Sequence, residues 1–191
     1  MEIFDNMDAI MESIGLFAPL FACFIMFIDA IFPILPYALI IPFLIHYFGL
    51  VFGLIMAWVL VCFGCYVSFK FSRKHFKIII DNKFMKRYEK TVKKWTKIIN
   101  DVPFEHLVML LAVPFTPAFL MNIVAGVSGM KNRKFIVAIM VGKVFLIAFW
   151  GYVALSLMDS VNNPTNVLFV IILVGFAFVV SKVVRKRFGI E

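Results

Sequence analysis

Apolar positions crowd into residues 14–69, 104–129, 135–158 and 167–184, and the polar positions fall almost entirely between these stretches. Residues 49–69, 135–158 and 167–184 read without interruption and reach or pass the roughly 18–20 residues that cross a hydrocarbon core. The other two stretches are broken. Residues 14–47 are interrupted at Pro33, Pro36 and Pro42, where proline removes a backbone donor and disturbs a helix. The limb at 37–48 has 12 residues, about 18 Å of helix, short of the roughly 30 Å needed to cross. Residues 104–129 break in the same way around Pro114-Phe-Thr-Pro117. Broken backbone persists in a bilayer only where it is buried in protein or lines a wet cavity. Each broken stretch is therefore expected to be a re-entrant hairpin that returns to the side it came from.

At the flanks the pattern changes to helical amphipathicity. In residues 1–13, acids alternate with Ile3, Phe4, Met7, Ile10 and Met11, which predicts a short helix at the membrane surface. The segment 70–101 carries eleven of the nineteen Lys and Arg, with Phe76, Ile80, Phe84, Tyr88, Val92, Trp95 and Ile99 recurring every three or four positions. A basic amphipathic helix of this kind suits the anionic cytoplasmic leaflet, and docking to a partner protein is the alternative. Basic clusters follow at 131–134 and 182–187. Placing all three clusters inside runs 49–69 inward and 135–158 outward, with the N-terminus outside and the C-terminus in the cytoplasm. The first hairpin then dips from outside and the second from inside. Such an arrangement is an inverted repeat, whose midplane is where transport sites lie.

Composition agrees with that picture. Hydrophobic residues make up 63% of the 191, which leaves room for one polytopic domain: residues 1–13, repeat 1 at 14–69, the basic segment 70–101, repeat 2 at 104–158 and a last span at 167–184. The net charge of +8 sits between apolar runs, so membrane topology and anionic lipid explain it and nucleic acid is not expected. The first 13 residues contain no Lys or Arg, so a cleaved signal peptide is not expected. Cys62-Phe-Gly-Cys65 has the spacing of a redox or zinc motif but lacks a second ligand pair, and reads as two small apolar residues on one helix. Gly64, Ser68 and Ser72 read as a packing stripe.

Chemistry in this chain must come from the few polar residues inside the apolar runs. Asp29 precedes the first break, and Lys143 lies eight residues past Phe135. A charge at the bilayer centre costs several kcal/mol, so each calls for a partner or a wet cavity. They could pair with one another; otherwise Lys143 snorkels and Asp29 caps a broken helix. Helices restarting at Tyr37 and Ala118 would aim positive dipole ends at the midplane, suited to a phosphate. Asn122 lies on the second of these, lining a cavity or bonding a neighbouring helix. Glu105 and His106 read as interfacial, and Trp150 and Tyr152 as belt or packing aromatics. No Gly-x-Ser-x-Gly, His-Glu-x-x-His or Walker pattern occurs, so no catalytic, metal or cofactor site is expected and the chain is not read as an enzyme.

Asp29-x-x-x-Pro33-x-x-Pro36, together with Pro114-x-x-Pro117-x-x-x-x-Asn122-x-x-x-Gly126, Met130 and Phe135, resembles the DedA superfamily, also called SNARE-associated or VTT-domain proteins. The resemblance covers roughly residues 29–152, including the small-residue helix that ends in Ser72-Arg73. It implies a multi-pass protein of the bacterial cell (plasma) membrane, with facing re-entrant hairpins and a role in lipid translocation. In such proteins the cargo is undecaprenyl phosphate or a phospholipid, and proton-motive force is linked to some bacterial members. An acid common after the family's second proline falls here at Ala38, and two common arginines fall at Leu111 and Pro117; the Pro117 form is closer to the eukaryotic-like branch. The expected path is thus Asp29, Pro33, Pro36, Tyr37, Pro114, Pro117, Asn122, Gly126 and Lys143, with anionic-headgroup lipids as partners and a homo-oligomer left open. A proton- or ion-coupled small-solute transporter and a structural membrane-organising protein are the alternatives.

Overall fold

The computed structural model describes residues 17–33, 35–75, 96, 102–116, 118–159 and 165–187. The surface helix expected at 1–13 and nearly all of the basic segment 70–101 lie outside the described residues. Among the described residues the chain is all helical: α1 Ala18–Ile31, α2 Tyr37–Phe48, α3 Leu50–Lys74, α4 Phe104–Ala112, α5 Ala118–Val127, α6 Asn132–Asp159 and α7 Thr165–Arg187.

The prolines fix where the short helices stop and restart. α1 ends as Phe32 turns extended (φ −128°, ψ 103°), immediately before Pro33. α4 ends as Val113 does the same (φ −72°, ψ 126°) before Pro114. A residue preceding proline is driven out of the helical region, and both ends obey that constraint. α2 begins directly after Pro36, whose carbonyl accepts the Leu39 amide at 2.9 Å. Pro42 behaves differently from expectation. It sits buried inside α2 and does not interrupt it, because its cost is one missing bond to the Ala38 carbonyl and the flanking turns are packed into the core.

α3, α6 and α7 contain the three spans long and apolar enough to cross a membrane. α3 and α6 run past the expected boundaries at 69 and 135, to Lys74 and back to Asn132. The extra turns carry charged and polar residues that have bonding partners. Arg73 reaches from α3 to the Asn132 side chain and the Met130 carbonyl, and its guanidinium lies 4.5 Å from the Phe69 ring centre. Asn132 itself opens α6, so this junction continues both helices beyond their apolar stretches. Large apolar side chains such as Phe52, Phe63, Phe145, Phe169 and Phe176 face outward, which is the surface of a membrane protein rather than of a water-soluble one.

α3 and α6 lie side by side and antiparallel. Phe69 stacks on Phe135 with ring centres 4.2 Å apart and planes 10° apart, and the Trp58 indole donates to the Met140 carbonyl at 2.9 Å. A short helix packs along each of them through a glycine. A methyl group at Gly64 of α3 would lie 2.6 Å from the Ala30 Cβ and 2.8 Å from the Phe27 carbonyl oxygen of α1. A methyl at Gly142 of α6 would lie 2.9 Å from the Leu111 Cβ and 3.1 Å from the Val108 carbonyl oxygen of α4. α2 packs against both α3 and α6, and α5 against α3, where a methyl at Gly126 would lie 2.5 Å from the Phe69 carbonyl oxygen. Only a residue without a side chain permits such crossings. Gly64, Ser68 and Ser72 are all buried, in keeping with the packing stripe read from the sequence.

Candidate functional site

Asp29 is carried by the last turn of α1 and is 4% exposed. Its Oδ1 accepts the Leu35 amide at 2.8 Å. The carboxylate thus reaches across the first break and binds backbone freed by the prolines, which is a strong use of an ionised acceptor. Tyr37, the first residue of α2, is half-buried, and its phenol lies within electrostatic reach of Asp29, Cys62 and Cys65. Pro33 and Pro36 are exposed at the break itself; they shape the turn and do not line the interior.

From the other side of the bundle comes Lys143, in the middle of α6. It is 1% exposed, so its side chain stays inside the protein and does not run along the helix to an aqueous face. Cys62 lies within its electrostatic reach, and the Cys62 thiol is directed at the Ile139 carbonyl, 3.9 Å away. Tyr37 from α2 and Lys143 from α6 thus both lie within electrostatic reach of Cys62 on α3. Both thiols are free, Cys65 buried and Cys62 half-buried.

The second break adds uncharged polar groups. Pro114 is half-buried and Pro117 lies outside the described residues. Asn122 is fully buried on α5, with neither side-chain oxygen nor nitrogen bonded, and the Thr116 hydroxyl is likewise buried and unbonded. Gly126, one turn after Asn122 and therefore on the same face, rests against Phe69 and Ser72 of α3. Asn122 accordingly faces α3 as well. The two breaks meet: Phe32, at the end of α1, and Phe119, at the start of α5, have ring centres 5.7 Å apart.

A buried amide with four bonding sites and no partner costs about 1–3 kcal/mol or more, and a buried amine on an apolar helix is more expensive still. Their presence within one bundle marks a place built for something polar. Among the described residues no group of three or more His, Cys, Asp or Glu side chains could hold a metal ion. Glu105 and His106 are exposed, in keeping with an interfacial position. Trp150 is buried while Tyr152 is exposed, so of the two aromatics only Trp150 packs. Phe115, between the prolines of the second break, has φ +63°. Nothing in its side chain announces that; only its place inside Pro-x-x-P could have hinted at it.

Residues 32–155, more than half of the chain, match the model of the VTT domain. The chain belongs to the VTT-domain family. The VTT match starts at Phe32 in the first break and ends within α6, so it contains both breaks and Lys143, begins just past Asp29, and leaves α7 outside. A relative of this VTT-domain protein is an uncharacterized membrane protein, YhjE, of Bacillus subtilis (strain 168). It is 27% identical over 185 residues, covering 95% of this chain and 87% of the relative. No solved structure matches the chain.

Proposed function

We propose that this VTT-domain protein is a membrane lipid translocator of the flippase or scramblase type, which passes an anionic head group through the polar centre while the tails stay in the bilayer. The observation that carries this reading is the set of polar side chains held on four helices inside one bundle: Asp29 with Tyr37 in its electrostatic reach, Asn122 fully buried on α5, and Lys143 buried on α6. Two of these four are ionisable groups of opposite sign held away from the surface, and one is an amide with no partner. α2 and α5 also begin at the breaks, so their unbonded amides and positive dipole ends add to the attraction for a phosphate. Undecaprenyl phosphate and phospholipids both fit that description. The residues supply hydrogen bonds and charge and break no bond, so the protein acts as a carrier and not as an enzyme.

The architecture that goes with this function is an inverted repeat of two re-entrant hairpins, α1–α2 with α3 and α4–α5 with α6. Support comes from spacing. Phe27 and Ala30 meet Gly64, and Val108 and Leu111 meet Gly142; both pairs are offset by 81 (108 − 27 and 111 − 30), as are the prolines (114 − 33). The four short helices have 14, 12, 9 and 10 residues, at most about 21 Å long, and none can cross alone. By the charge rule the basic ends of α3 and α7 face the cytoplasm of a cell membrane and the N-terminus lies outside.

The reading is tested with purified protein in vesicles that carry a trace of head-group-labelled phospholipid or labelled undecaprenyl phosphate and are exposed to an impermeant quencher. The fraction quenched is expected to rise from the outer-leaflet half toward completion as the inner leaflet is brought out. A quenched fraction that stays at half for both lipids would overturn the proposal, and ion flux under the same conditions would favour a small-solute or ion carrier.

A further inference from the structure

The second break is bent through a residue poorly suited to it. Phe115 has φ +63°, a region that bulky side chains enter only when the surroundings over-determine the backbone. Those surroundings are visible. The Phe115 ring meets Trp150 of α6 edge-on, with centres 5.8 Å apart and planes at 71°, and meets Phe178 of α7 edge-on, at 5.7 Å and 77°. Edge-to-face pairs at this distance are attractive beyond the area they bury.

α7 is otherwise lightly held. Only 11% of its membrane window is buried, the smallest share of the three spans. Its buried residues are Val170, Ala177 and Ser181, and its packing is against α6. Phe178, next to Ala177, is where the helix touches the second break. α7 also lies beyond the residues matched by the VTT domain.

We propose that α7 is a clamp added to the VTT domain, and that Phe178 is a positioning residue that holds Phe115 in its left-handed conformation and so sets the bend of the second break. α6 supplies the fixed wall through Trp150, and α7 supplies the removable one. When α7 moves away, Phe115 loses one of its two walls and the bend is free to relax toward ordinary φ values. Because Thr116 and α5 follow Phe115 directly, the position of Asn122 depends on the same contact. The clamp follows from packing alone and stands whether or not the protein moves lipid.

Hydrogen exchange on the full chain in phospholipid nanodiscs reads the clamp without any transport assay. In Phe178→Ala the amides of Asn122 and Ile123, in the first bonded turn of α5, are expected to exchange about three- to tenfold faster, the range set by one aromatic pair, with α3 and α6 unchanged. Phe178→Tyr, which keeps the ring, is expected to exchange like the natural protein. Phe115→Gly, free to adopt positive φ without strain, is expected to make these amides indifferent to Phe178→Ala. The proposal is overturned if these amides exchange alike with and without the Phe178 ring, if Phe178→Tyr loosens them as much as alanine does, or if α3 and α6 loosen equally. Should Phe178→Ala not yield folded protein, Phe178→Leu carries the same comparison with apolar bulk retained.

Discussion

Replacing Lys143 with methionine is expected to stop the protein moving lipid. The side chain is 1% exposed in the middle of α6, with Cys62 within its electrostatic reach. Methionine fills nearly the same volume with a flexible apolar chain. The loss follows from the proposed role: without Lys143 the α6 wall of the polar centre offers no positive charge to an anionic head group, and translocation should fall about tenfold or more. Quenching in vesicles reads the loss, and thermal unfolding of the same preparation in detergent shows that the variant is folded. A folded variant that transports normally would show Lys143 to be a structural residue.

At Asp29 two substitutions separate the two things a carboxylate can do. Asp29→Asn keeps an oxygen that can accept the Leu35 amide while removing the charge. It should therefore keep the fold, with unfolding shifted little, and lose about tenfold in translocation if the charge serves the path. Asp29→Ala removes the acceptor too and leaves the Leu35 amide without it, a cost of about 1–3 kcal/mol. The expected order is natural protein above asparagine above alanine in stability, with both variants poor in transport. Full transport by Asp29→Asn would reduce Asp29 to a tie across the break.

The parts of this fold that could be read in the sequence are those governed by local backbone chemistry. Pro36 and Pro117 precede helix starts at Tyr37 and Ala118, and Phe32 and Val113 end helices because proline follows them. The three long helices are legible from apolar length, and α3 and α6 run about a turn longer, to Lys74 and back to Asn132, because Arg73 finds partners that only the folded chain brings near. Pro42 misled for the converse reason: tertiary packing holds α2 together around it. The site was legible in its members but not in its assembly. Asp29, Asn122 and Lys143 stand out as polar residues in apolar runs, yet which way each faces depends on neighbouring helices, and periodicity inside an all-apolar stretch carries no such information. Cys62-Phe-Gly-Cys65 reads as part of a packed helix, and Cys65 is buried and Cys62 half-buried; that Tyr37 and Lys143 come within reach of Cys62 depends on helices distant in sequence. The bend at Phe115 depends on Trp150 and Phe178, each far away in sequence.

A head group that passes through the polar centre passes where the two breaks meet, at Phe32 and Phe119, so locking them together should stop it. Cysteines placed at these two positions, in a chain whose Cys23, Cys62 and Cys65 have been replaced, can be joined by a short bifunctional thiol reagent or by oxidation in vesicles. The joined protein is expected to lose lipid translocation and to regain it when the link is reduced. Translocation that continues at the unlinked rate in fully joined protein would contradict the account.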